Sequence, residues 1–204
     1  MIKLVASDLD GTIIDNDNLI NANNYKAIND INNKKINFVI CTGKTYPIIK
    51  GMCSKISASY GIFGNGNQII NLKTGEEIYK KLLSKEEINT CINIAKSNNL
   101  HVHCYTDSEV ISEKLLYMDL RNYVLMKNNK YPSSMNFKIV DNIQEYINNS
   151  PNINISKLVI SSPTHLSKIQ HEISNKLDVS VIFINKTGKY IDSFINTEYE
   201  YLDI

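Results

Sequence analysis

The stretch Ser7-Asp8-Leu9-Asp10-Gly11-Thr12-Ile13-Ile14, directly after Ile2-Lys3-Leu4-Val5-Ala6, decides the fold of this chain. A buried strand, residues 1–9, runs out there into a turn that contains glycine, with two carboxylates at its tip. Residues two apart on an extended chain share a face, so Asp8 and Asp10 converge on one site. Like charges that close repel unless a cation or a shared proton relieves them. In open parallel α/β sheets, ligands bind beyond the carboxyl ends of the strands. A reaction centre at this first strand tip is the reading that follows.

Working outward, Asn21 to Asn33 places Tyr25, Ala27, Ile28 and Ile31 at helical spacing. Residues 36–41 read as a second buried strand that ends in Thr42-Gly43-Lys44. A helix with proline at a tolerated early position follows, from about Tyr46 to Ser57. Tyr60 to Phe63 is a third strand, closing on Gly64-Asn65-Gly66-Asn67. Strand, helix, strand, helix, strand is half of a doubly wound sheet, in the order 1-2-3, with Asp8, Thr42 and Asn65 at adjacent tips.

The rhythm then changes. Gln68–Asn71 and Glu77–Leu82 read as a hairpin around Lys73-Thr74-Gly75. Ser84-Lys85-Glu86-Glu87 is a capping box, opening a helix with Ile88, Cys91, Ile92 and Ala95 on its apolar face. Strands are expected over 100–105, 109–112, 155–161, 179–185 and 197–204. Helices are expected over 117–127, 143–147 and 165–177, with a polar loop over 129–136. This is an α+β unit with antiparallel pairing, so the chain divides into 1–82 and 83–204.

Composition bounds the function. The 204 residues are 43% hydrophobic and 21% charged, and Lys+Arg 22 against Asp+Glu 21 leaves a formal charge of +1. Basic residues are scattered and Arg121 is the sole arginine, which speaks against nucleic acid. No apolar run of about 18 residues and no signal peptide is present, which speaks against a membrane and for the cytoplasm. Cys41, Cys53, Cys91 and Cys104 lack metal-finger spacing and read as reduced, buried thiols. His101 and His103 alternate along one strand and His165 and His171 lie on a helix; none pairs with a carboxylate at metal-ligand spacing, so they read as structural.

The stretch from Asp8 to Thr12 resembles the DxDGT signature of the haloacid dehalogenase-like (HAD-like) phosphohydrolases, in their Cof-type branch with an α+β cap. That resemblance implies an α/β fold, with the N-terminal half of a Rossmann-like core in residues 1–82 and an inserted cap in 83–204. It makes Asp8 the nucleophile that takes up the phosphoryl group. Asp10 becomes the acid that protonates the leaving oxygen and the base that activates water. Mg²⁺ would be held by the Asp8 carboxylate and the Asp10 carbonyl. Leu9 and Gly11 would serve the phosphate through backbone donors and the turn. Thr42 and Gly43 resemble the second motif, with the Thr42 hydroxyl donating to a phosphoryl oxygen. Lys44 stands where the branch often has arginine, keeping the charge without the bidentate fork. Asn65 resembles the branch's Asn-Gly pair beneath the cap. The partner implied is a small phosphorylated metabolite such as a sugar phosphate.

The family's lysine motif and its GDxxND motif are absent from these 204 residues. The expectation is therefore a truncated member, short of about two strand-helix units of on the order of 30 residues each. Such a chain would be impaired in turnover and would self-associate through an open, apolar sheet edge. The rival reading is a non-catalytic remnant that binds a phosphorylated ligand or a partner. A receiver-like phosphoacceptor is a third, disfavoured by the DxDGT spacing and by the large insert after the third strand.

Overall fold

The structure is a computed structural model that describes residues 1–15, 19–115, 134–162, 166–189 and 196–204; side chains are described outside residues 185–199. The helix expected over 117–127, most of the loop 129–136, and His165 lie outside the described residues.

Two compact units emerge, the first built on Met1–Lys81 and the second beginning at Leu82. The first is a five-stranded sheet: β1 (Leu4–Asp8), β2 (Asn37–Cys41), β3 (Tyr60–Phe63), β4 (Gln68–Asn71) and β5 (Glu77–Lys80), adjacent in that order. β1, β2 and β3 run parallel, with Asp8 opposite Cys41 and Cys41 opposite Ile62. β4 and β5 return antiparallel. Helices α1 (Ala22–Asn33) and α2 (Tyr46–Cys53) make the two crossovers. α1 begins where the Asn21 side chain accepts from the Asn24 N–H at 2.9 Å, satisfying one of the orphan donors of the first turn. α2 carries its proline in the first turn and ends at Cys53, four residues short of the expected end. β2 is an interior strand, flanked by β1 and β3, and Phe38, Val39 and Ile40 are buried there.

β1 departs from the buried strand expected over residues 1–9. It spans five residues and alternates exposed and half-buried positions, with Leu4 at 52% exposure. The reason is topological. Among the described residues β1 pairs with β2 alone, so its other flank is a sheet edge.

The second unit is a six-stranded sheet with helices on one face. Its strands are β6 (His101–Tyr105), β7 (Glu109–Ser112), β8 (Asn136–Ile139), β9 (Lys157–Ser162), β10 (Ile182–Lys189) and β11 (Asn196–Asp203). Their order is β10-β11-β9-β6-β7-β8. Pairing is antiparallel except between β7 and β8. β8 corrects the expected loop, which ended at Asn136; a short strand with a half-exposed pattern is hard to tell from polar loop in an Asn-rich chain. Helices α3 (Lys85–Ser97), α4 (Ile143–Asn148) and α5 (Ser167–Lys176) bury Ile88, Ile92, Ile147 and Ile173 against Val102, Cys104, Leu158 and Ile160. The Ser84 capping box is complete: its hydroxyl takes the Glu87 N–H, and the Glu87 carboxylate takes the Ser84 N–H. His101, His103 and Tyr105 alternate with Val102 and Cys104, so they occupy the face away from the helices.

All four cysteines are free, and Cys41 is half-buried where the others are buried. Among the described residues no helix is long and apolar enough to cross a membrane.

Candidate active site

β1 delivers Asp8 to the end of its run, and the chain then turns sharply. Leu9 buries its side chain completely and its carbonyl accepts from the N–H groups of Ile13 and Ile14, both at 3.0 Å. Gly11 adopts φ +69, which L side chains disfavour. A Cβ there would meet nothing within 4 Å, so conformation and not space is what asks for glycine. The Gly11 N–H donates to the Ile14 carbonyl at 2.9 Å. Gly11 therefore supplies the turn, while its donor is already engaged within it.

The turn is held from outside by a residue the motifs did not single out. Asn24, in the first turn of α1, donates from its amide to the carbonyls of Thr12 and Ile13, both at 2.9 Å. No signal in the sequence marks it, since Asn21, Asn23 and Asn24 are equivalent in composition. Beyond the turn, Ile14 bridges both Asp10 and Ile20, pairings that the sequence reading missed.

At the strand tip the Leu9 N–H donates to Asp8 Oδ1 at 2.7 Å. That donor thus lies within reach of whatever the Asp8 carboxylate holds. Opposite Asp8 in the β1–β2 ladder is Cys41, whose thiol is pushed up by burial first and by the Asp8 charge second. Asp8 therefore sits beside the end of β2.

Thr42 is the next residue and is 8% exposed. Its hydroxyl oxygen accepts the Lys44 N–H at 3.2 Å, so the hydroxyl hydrogen remains to be donated. The Lys44 ammonium pairs with Asp10 Oδ1. Lysine and carboxylate thus join the tips of β1 and β2.

The tip of β3 closes against them. Asn65 takes φ +58, a left-handed conformation that asparagine tolerates, and its N–H reaches the Thr42 carbonyl at 3.4 Å. Its side-chain Oδ1 lies 2.6 Å from where a Cβ on Gly43 would stand. Gly43 is thereby explained by close approach. Asp8, Thr42, Gly43, Lys44 and Asn65 fall on three adjacent parallel tips.

The arrangement offers a carboxylate at the strand tip, a second carboxylate on the same turn, a hydroxyl donor and an ammonium. Its candidate metal donors are the oxygens of Asp8 and Asp10, the kind that a hard cation prefers. Among the described residues no group of three or more His, Cys, Asp or Glu gathers to hold a metal. Carboxylate and carbonyl oxygens at one strand tip are of the kind that Mg²⁺ accepts.

Residues 5–199 match the model of a family described as haloacid dehalogenase-like hydrolase. A 5-amino-6-(5-phospho-D-ribitylamino)uracil phosphatase of Bacillus subtilis is 29% identical over 110 residues, covering 53% of this chain and 44% of that protein. An HMP-PP phosphatase of Yersinia pestis is 26% identical over 108 residues, covering 52% and 39%. The matched stretch spans less than half the length of these curated relatives. Among solved structures, a haloacid dehalogenase-like hydrolase from B. subtilis superposes with TM-score 0.73 at 16% identity, over 98% of this chain and 73% of that one. A second, from Bacteroides thetaiotaomicron, gives TM-score 0.70 at 18% identity, over 99% and 71%. These likenesses establish the fold.

Proposed function

This chain belongs to the haloacid dehalogenase-like hydrolases, and from that membership we propose that it is a Mg²⁺-dependent phosphohydrolase of small phosphomonoesters, sugar phosphates among them, acting through Asp8. The observation that carries the reading is the convergence of Asp8, Thr42 and Lys44 on adjacent strand tips, with the Leu9 N–H against the Asp8 carboxylate.

Asp8 Oδ attacks phosphorus and the ester P–O bond breaks, while Asp10 gives a proton to the departing oxygen. Water then attacks phosphorus and loses its proton to Asp10, and the bond from phosphorus to Asp8 breaks, releasing phosphate. The Leu9 N–H and the Thr42 hydroxyl donate to phosphoryl oxygens. Lys44 supplies positive charge beside them and holds Asp10 in place. Asn65, packed on Gly43, faces the bound ester. Mg²⁺, held by the Asp8 carboxylate and the Asp10 carbonyl, would neutralise charge on the phosphoryl group. The phosphatases named among the relatives support a small phosphorylated metabolite as substrate. The outer flank of β1, with Ile2 and Leu4 exposed, is proposed to pair with a second copy of the chain.

The test is hydrolysis of p-nitrophenyl phosphate and a panel of sugar phosphates, with Mg²⁺ and with chelator. Weak turnover, little above background, that needs Mg²⁺ and disappears in Asp8→Asn is expected. Hydrolysis that persists in Asp8→Asn contradicts the assignment. A second reading, phospho-ligand binding without turnover, draws support from the engagement of Lys44 by Asp10 and from the two-oxygen donor set. Saturable ester binding with no Asp8-dependent turnover would favour it.

A further inference from the structure

We propose that Asn24, which lies outside every motif of the strand tips, is a positioning residue for Asp10, a role that rests on the assignment of Asp10 as acid and base. Asn24 stands in the first turn of α1 and is half-buried, while Asn23 beside it is exposed. Its amide nitrogen donates to the Thr12 carbonyl and to the Ile13 carbonyl, both at 2.9 Å. Both amide hydrogens are therefore committed to two consecutive peptide groups.

Those peptide groups reach Asp10. The one with the Thr12 carbonyl carries the Ile13 N–H, and the one with the Ile13 carbonyl carries the Ile14 N–H. Both N–H groups donate to the Leu9 carbonyl at 3.0 Å. The Leu9 carbonyl belongs to the peptide that joins Leu9 to Asp10. On the other side of Asp10, the Gly11 N–H donates to the Ile14 carbonyl at 2.9 Å. The backbone on both flanks of Asp10 is thus tied to Ile13 and Ile14, and that segment is held by one side-chain amide. Hydrogen bonds in such a chain polarise one another, so the donor at its head strengthens those behind it. Lys44 holds the Asp10 carboxylate. Asn24 holds the backbone from which that carboxylate projects.

The residue type fits this duty. One planar NH₂ group supplies two donors, enough for neighbouring carbonyls, whereas a carboxylate of the same size presents only acceptors to them. The helix cap is independent of the Asn24 side chain, because the Asn21 side chain accepts the Asn24 backbone N–H at 2.9 Å. An acidic residue in a first turn also favours the helix. Asn24→Asp therefore separates the stability of α1 from the hold on the turn.

The test separates the two halves of the reaction. With acetyl phosphate and Mg²⁺, Asp8 Oδ attacks phosphorus and the P–O bond to acetate breaks; acetate leaves as an anion and needs no proton from Asp10. Breakdown does need Asp10, which takes a proton from the water that attacks phosphorus as the bond to Asp8 breaks. The phosphoryl group on Asp8 is followed by mass spectrometry during uptake and after acetyl phosphate is removed. Breakdown is expected to slow about tenfold in Asn24→Ala and in Asn24→Asp, part of the roughly 10²–10⁴-fold that a positioned base contributes, with uptake changed far less. In an Asp10→Asn background, Asn24→Ala should add no further slowing, because residues that act through one another are not additive. Asn24→Asp should melt no lower than Asn24→Ala, so slow breakdown there is not unfolding. Three results overturn the positioning role while labelled wild-type Asp8 upholds the catalytic assignment: wild-type breakdown in Asn24→Ala, wild-type breakdown in Asn24→Asp, or equal slowing by Asn24→Ala with Asp10→Asn in place. No label on wild-type Asp8 overturns that assignment, and the positioning role with it.

Discussion

At Lys44 one side chain has two duties, because its ammonium both pairs with Asp10 and supplies charge at the strand tips. Lys44→Gln removes both, and kcat/KM is expected to fall about 10²–10³-fold, the usual size for a lost electrostatic stabiliser. Lys44→Arg keeps the charge and should recover much of that loss. Cys41 reports on Asp8 independently of turnover. The Asp8 charge helps to hold the Cys41 thiol up, behind burial. Removing that charge lowers the thiol pKa, so Asp8→Asn should label faster with a maleimide at a given pH near 8, with the rate-versus-pH curve displaced to lower pH. No displacement would mean that Asp8 is not charged beside Cys41. Cys53 and Cys104, buried and pushed up to about 12 and higher, should stay unlabelled in the folded chain. Much of this site was legible in the residues: Asp8, Asp10, Thr42 and Lys44 follow from motifs at strand ends. Asn24 was not, because its role is a long-range amide bond to two carbonyls that no local pattern encodes. Nor was the internal engagement of the Gly11 N–H, which depends on how the turn closes.

Among the elements, the tip of β3 links sequence to site most tightly. Gly43→Ala would place a Cβ 2.6 Å from Asn65 Oδ1 and displace that side chain. The expected result is a rise in KM with a change in melting temperature of only a few degrees, read by parallel kinetics and thermal melts. At the start of the second unit, Ser84→Ala breaks the capping box of α3 and should lower stability by about 1 kcal/mol, measured by urea denaturation. Helix α3 was readable because its cap and its apolar stripe agree. β8 was not, since four residues with an exposed-to-half-buried pattern carry no strong periodicity. The early stop of α2 at Cys53 has a local cause: the Ser54 N–H bonds back to the Lys50 carbonyl, Lys55 to Met52 and Ile56 to Cys53, tightening the last turn into a loop that buries Ile56.

For the whole molecule, acid should be the disruptive condition. Burial pushes His101 down to about 4 from an ordinary 6.5, with Lys114 adding to the shift, and His103 moves the same way. The unfolded chain therefore binds protons that the folded chain refuses. Stability is in full above about pH 6.5 and is lost as pH falls toward about 4. The urea midpoint should drop between pH 7 and pH 5, and the drop should be smaller in His101→Gln. Edge pairing is a concentration effect instead: sedimentation should detect association through β1 that Leu4→Lys weakens, and a strictly monomeric wild type would contradict it. Both expectations leave the chemistry at Asp8 untouched, which a single covalent measurement addresses. The chain is incubated with Mg²⁺ and acetyl phosphate, quenched in acid, digested, and its peptides weighed by mass spectrometry. One phosphoryl group on the peptide that contains Asp8, absent in Asp8→Asn, is the predicted result. A phosphoryl group on any other residue, or none on Asp8 when acetyl phosphate is being consumed, would contradict the account.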